Sequence, residues 1–143
     1  MTGASPPRFV VGHTMHLAFA VLLALHGIAH LVGFLVPWRL MASEEMPFST
    51  TLLSGRVDVG EPGIRIVGLG WLLLAAAFLG CAWMVWAGRP GAATWTTTTA
   101  LVSGAMCVLG WPQARVGLWV NAAIVAAVLV SARVPGLHLA GPG

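Results

Sequence analysis

The chain has 143 residues, of which 58% are hydrophobic and only 8% charged, and its mean hydropathy is +0.89. A soluble domain carries about a quarter of its residues as charges, so this composition excludes a soluble enzyme, a coiled coil and a disordered chain. Seven Arg, no Lys and four acids leave a net charge of +3, too sparse and scattered to grip a phosphate backbone, which excludes a nucleic-acid binder.

Four stretches carry no charge: 17–36, 66–87, 92–111 and 116–132. Crossing about 30 Å of hydrocarbon takes about 20 apolar residues at 1.5 Å rise. The first three stretches meet that unaided, and Gln113 and Ala114 extend the fourth. The runs are continuously apolar rather than alternating, which is the pattern of helices and not of a barrel. The expectation is an all-α, four-helix transmembrane bundle, antiparallel and up-down-up-down, forming one integral membrane domain over 1–143. Its helices are predicted at about 14–37, 64–87, 92–111 and 114–133.

The first helix is kept as a membrane anchor, because its apolar run is too long for a signal peptide and meets Pro37, Trp38 and Arg39 instead of a small-residue cleavage site. The one long connection, about 39–63, holds all four acids and is polar. Within it, Ser43 followed by Glu44 and Glu45 predicts a short surface helix. Arg89-Pro90-Gly91 and Trp111-Pro112-Gln113 predict tight turns, and short connections make neighbouring helices antiparallel. Trp38, Trp86, Trp95 and Trp111 fall near run ends, where indoles sit among headgroups. Four spans put both termini on one side. The Arg count is nearly even across the two sides, and the acidic loop assigns the termini to the cytoplasmic face of a bacterial inner membrane.

Along the second and third helices, Cys81 and Cys107 fall at depths about 18 Å apart, beyond disulfide reach, so two free thiols are expected. In the first helix His26 and His30 are four residues apart, on one face with Gly33. Ionisable groups at that depth usually face a bundle interior. They can ligate haem, relay protons or hold a polar ligand, or else bond across helices as neutral imidazoles. Two His one turn apart on one helix cannot ligate opposite faces of one haem. No metal site is expected. Arg65, opening the second helix, either snorkels to headgroups or faces inward as a carboxylate clamp. Asn121 is the one amide inside a span. Thr96 to Thr99 and Ser103 are expected to bond back to their own helix. Counted along helices that alternate in direction, His30, Arg65 and Asn121 reach similar depths on the loop side. They are expected to form a polar cluster with His26 at its floor, lined by Trp71 and Trp119, under residues 39–63. No acid lies in any span, which argues against a proton-coupled exporter. There is no Walker motif, nucleophile elbow or zinc-protease His-Glu-x-x-His.

The segments Leu25-His26-Gly27-Ile28-Ala29-His30-Leu31-Val32-Gly33-Phe34, Arg65-Ile66-Val67-Gly68-Leu69-Gly70-Trp71 and Trp111-Pro112-Gln113-Ala114-Arg115-Val116-Gly117 with Asn121 resemble those of small, uncharacterised bacterial four-helix membrane proteins. The His26-Gly27 pair resembles the DoxX-like group, also four-helix, some of whose members are associated with quinone-linked sulfur oxidation. That resemblance implies the fold and carries no reaction across. The functional expectation is a non-enzymatic accessory or structural membrane subunit, with the bilayer, another membrane protein or a second copy as partner. The alternative is a redox-linked subunit holding haem or quinone at His26 and His30. A small permease is the weaker third reading.

Overall fold

The computed structural model describes residues 8–42, 44 and 47–133. In chain order these form α1 (Arg8–Ala29), α2 (Leu31–Leu35), β1 (Thr51–Leu52), β2 (Val57–Asp58), α3 (Gly60–Trp86), α4 (Ala92–Leu109) and α5 (Arg115–Ser131). The described residues are all-α apart from one short hairpin. Among the described residues three helical segments, Thr14–Leu35, Gly60–Trp86 and Ala92–Leu109, are long and apolar enough to cross a membrane. The fourth, Arg115–Ser131, is apolar with 17 residues.

Each boundary has a local cause. α1 and α2 are one apolar run interrupted at His30, where the backbone N–H turns to the carbonyl of Gly27 (3.1 Å) instead of His26. α3 starts at Gly60 and not near 64. The sequence boundary followed the charges, whereas the helix start is set by its first turn. Asp58 Oδ1 accepts the Gly60 N–H at 2.9 Å, Pro62 fits the first turn because it has no N–H to satisfy, and Glu61 favours the positive end of the helix. α3 ends in a left-handed turn at Gly88 (φ 59°). There the Arg89 N–H bonds Met84 O and the Gly88 N–H bonds Val85 O, closing carbonyls that a helix end leaves open.

The long connection is more ordered than a polar loop. The predicted helix opened by Ser43 rests on Ser43 and Glu45, which lie outside the described residues. Further on, β1 and β2 pair antiparallel, with Thr51 opposite Asp58 and Leu52 opposite Val57. Leu53 (φ 52°) and Ser54 (φ 59°) at the hairpin tip occupy the left-handed region, which side chains with a Cβ rarely adopt. Their N–H groups donate to Leu109 O (2.9 Å) and Trp111 O (3.0 Å). The tip thus supplies the donors that the end of α4 lacks, and those bonds hold the strained backbone in place.

Packing is close at several glycines. α1 and α2 lie on α3, α3 on α4, and α4 on α5. A Cβ on Gly27 would come within 3.0 Å of Ala75 O and Phe78 Cβ, and one on Gly33 within 2.5 Å of Trp71 Cγ. The larger core gathers Leu23, Phe78, Val85 and Ile124, and the smaller one Trp71, Leu74, Cys107 and Ala114. Both cysteines are free and buried.

Gly33→Ala forces a Cβ into the Trp71 ring, so it is expected to destabilise the protein by about 1–3 kcal/mol, the usual range for overpacking. Gly80 has nothing within 4 Å of an added Cβ, and Gly80→Ala should be neutral or stabilising. Thermal unfolding of the two variants in detergent is the check, and equal melting temperatures would contradict this packing.

Asp58 accepts hydrogen bonds from the Gly60 N–H and the Thr50 side chain, which lowers its pKa below the usual carboxylate value. A lowered folded-state pKa adds stability above the unfolded value of about 3.9, and this is lost as pH falls through the folded one. Proteolysis of the hairpin should therefore accelerate only at acidic pH, and Asp58→Asn should flatten that dependence.

Candidate functional site

The site begins with the break at His30. Because the His30 N–H is diverted to Gly27, the carbonyl of His26 would lack a donor, and His30 Nδ1 fills the gap at 2.8 Å. A carbonyl oxygen can only accept, so Nδ1 carries the proton and Nε2 is the lone-pair atom. Ser103 Oγ, on α4, lies 2.7 Å from that Nε2 and donates to it. Asn121 Nδ2, on α5, donates to Ser103 Oγ at 2.8 Å and also faces Cys107 Sγ at 3.7 Å. The amide oxygen of Asn121 accepts from His26 Nε2 at 3.1 Å. The chain of donors closes on itself: His26, Asn121, Ser103, His30 and back to His26. Each partner's role follows from the single fixed acceptor, and the His30 imidazole is neutral in it.

All four side chains are buried, with exposures from 0% for Ser103 to 8% for His26. α3 supplies an aromatic shelf. Phe78 lies edge-on to His26 at 4.7 Å between centroids, and Trp71 lies 5.2 Å from His30. A cavity of about 270 Å³ borders this ring of bonds, lined by His26, His30, Trp71, Cys107, Gly117 and Val120 among others.

The structure brings together three of the predicted cluster residues, His26, His30 and Asn121. It does not bring in Arg65. Its guanidinium pairs with Glu61 at 2.7 Å, one helical turn back, with the side chain 46% exposed. An ion pair that stays wet retains the hydration an inward guanidinium would lose. Nor does Trp119 line the cavity. It is 72% exposed, two positions from Asn121, and a separation of two turns a side chain to another face. Trp71 does line it.

Ser103 was expected to bond its own helix, and instead it links His30 to Asn121. The signal for it was depth. Ser103 lies about 9 Å inside the loop-side end of α4, counted from Leu109 at 1.5 Å per residue, level with the other three. Thr99 faces Cys81 Sγ at 3.6 Å, while Thr96 Oγ1 is buried without a partner.

Among the described residues no three His, Cys, Asp or Glu side chains gather into a metal-binding group. The chain matches no protein-family model, no curated protein and no solved structure.

The direction of the hydrogen bonds makes a sharp expectation. Nitrogen-15 spectra of the histidine rings should show His30 protonated on Nδ1 and His26 on Nε2. The same tautomer in both rings would break the cycle. Asn121→Ala strands two buried partners and should cost about 1–3 kcal/mol of stability. Ser103→Ala and Asn121→Ala should be non-additive by about 0.5 kcal/mol or more, since they act on one network.

Proposed function

We propose that the chain is an antiparallel four-helix transmembrane bundle acting as a non-enzymatic accessory or structural membrane subunit. We place it in a bacterial inner membrane, with both termini cytoplasmic. What supports the membrane reading is the distribution of polarity. The buried set includes His26, His30, Thr96, Thr99, Ser103, Asn121 and Ser131, while Leu25, Ile66, Leu73, Val116, Trp119 and Val130 face outward. An apolar exterior around a partly polar interior suits lipid and would aggregate in water.

The observation that carries the non-enzymatic reading is the closure of the hydrogen-bond ring. His30 uses both ring nitrogens, Asn121 both ends of its amide, and Ser103 accepts one bond and donates another. A general base or an axial ligand at His30 would need one of these atoms free, and His26 keeps only Nδ1 outside the ring. Both Nε2 atoms are engaged, which weakens the haem reading in particular. Between apolar helices in lipid there is no hydrophobic drive to associate, so interhelical hydrogen bonds and close packing select the partner and register. The ring fits that task, tying α1 to α4 and α5.

The test is to purify the tagged full-length protein from membranes in mild detergent. Colourless protein that co-purifies with a larger membrane complex is the expected result. His30→Ala and Asn121→Ala should lower its melting temperature. A Soret band or a bound redox chromophore lost in His26→Ala or His30→Ala would overturn the proposal in favour of a redox subunit. Reporter fusions at Ser5, Thr50, Arg89 and Ala140 test the topology: the first, third and fourth should agree and the second should differ.

A further inference from the structure

A second cavity, of about 140 Å³, lies on the loop side of Trp71 and beneath the hairpin. Its roof includes Leu52, Ser54 and Gly55, and its walls include Ile64, Val67 and Leu109. Ser49, Thr51, Ser54 and Gln113 are its polar lining residues, and among the described residues no Arg, Asp, Glu or His lines it. That set offers nothing to neutralise an ion, so an ionic occupant would lose its hydration without compensation.

Trp71 lines this cavity and is only 8% exposed. Its indole N–H makes no hydrogen bond with any described residue, yet it is not sealed in apolar packing, a condition found among the described residues only for Thr96 Oγ1. A Cβ on Gly33 would rest on the five-membered ring of Trp71, 2.5 Å from Cγ and 2.7 Å from Cδ2, and one on Gly110 would lie 3.5 Å from Cζ2, on the Nε1 side of the indole. Gly33 lines both this cavity and the one beside the histidines, whereas Gly110 lines this one, so the Nε1 side of the ring borders the space beneath the hairpin. A buried donor of this kind is normally paired.

We propose that this cavity binds a small uncharged carbonyl compound, of about the size of one six-membered ring. Its oxygen accepts from Trp71 Nε1–H, and its apolar body packs against Ile64, Val67 and Leu109. The size follows from the volume, since cavities of about 150 Å³ take up benzene. The acceptor follows from the lone N–H, and the neutrality from the uncharged walls. The hairpin tip, fastened to Leu109 and Trp111 by its backbone, closes the site over the occupant. This site goes beyond the accessory-subunit reading and does not depend on it.

The test uses the full-length protein in detergent micelles, labelled with nitrogen-15 in its seven tryptophans, with Trp71→Phe assigning the Trp71 signal. Two probes of the same shape are titrated, cyclohexanone and methylenecyclohexane, of which only the first has an acceptor. The expected result is a saturable downfield shift of the Trp71 N–H with cyclohexanone and no such shift with the hydrocarbon. The outward indoles of Trp83, Trp86 and Trp95 should move only in proportion to probe dissolved in the micelle. In Trp71→Phe, cyclohexanone affinity read from a Leu109 methyl signal should fall roughly five- to tenfold, the loss of one hydrogen bond. Val67→Phe, which fills the cavity and keeps the indole, should abolish saturation while leaving the other six indole signals in place. The proposal is overturned by a Trp71 N–H that does not saturate with cyclohexanone, the result a cavity holding only water would give. It is also overturned by an equal response to both probes, or by unchanged affinity in Trp71→Phe.

Discussion

The carbonyl oxygen of His26 can only accept a hydrogen bond, and the polar interior of this protein is arranged around that constraint. Its usual donor, the His30 N–H, has turned to Gly27, and the His30 ring takes its place. One fixed acceptor then orients every proton in the ring through Ser103 and Asn121 back to His26. The helix break and the network are one feature. Without the break, His26 O would already be occupied, His30 Nδ1 would be free, and the tautomer that lets Ser103 donate would not be enforced. Networks of this kind are worth more as a unit than bond by bond, because each group polarises the next and none can leave without stranding another.

Close approach is the second condition. The ring joins α1, α4 and α5, but α3 fixes where α1 stands. Gly27 lets α1 settle tightly against Phe78, and Gly33 lets α2 approach Trp71 more closely than a Cβ would allow. Phe78 contacts both imidazoles, and Trp71 contacts that of His30. Trp71 has two neighbours of different character: the histidine ring on one side and the hairpin cavity on the other. A single side chain therefore borders both the cavity beside the hydrogen-bond ring and the cavity beneath the hairpin.

The long connection does structural work at the helix ends. Its hairpin tip stays in a left-handed conformation because two of its N–H groups complete the open end of α4. Its last residues cap α3 through Asp58. Trp38 donates its indole N–H to Arg65 O at 3.1 Å, and Arg65 turns its charge to Glu61 and away from the interior. Glu61 meets the chain's own basic residues at the surface, Arg39 and Arg65 both reaching it.

The sequence by itself determined what depends on position along a helix axis. Runs without charge marked the apolar helices, and rise per residue placed His30, Asn121 and, had it been counted, Ser103 at one level. Depth alone also kept Cys81 and Cys107 apart. What the sequence could not supply was direction around each axis. Trp119 and Asn121 have nearly the same depth and opposite surroundings, and Arg65 had an outward partner four residues away that competed with the interior. Azimuth is decided when helices pack, by which faces carry glycine and which polar atoms find partners, and those are relations between distant segments. The hairpin is of the same kind: residues 51–58 carry weak strand signals, and their conformation is held by carbonyls of Leu109 and Trp111, more than fifty residues further along the chain. Only the tertiary structure decided these, because the donors and acceptors involved meet nowhere in the linear order.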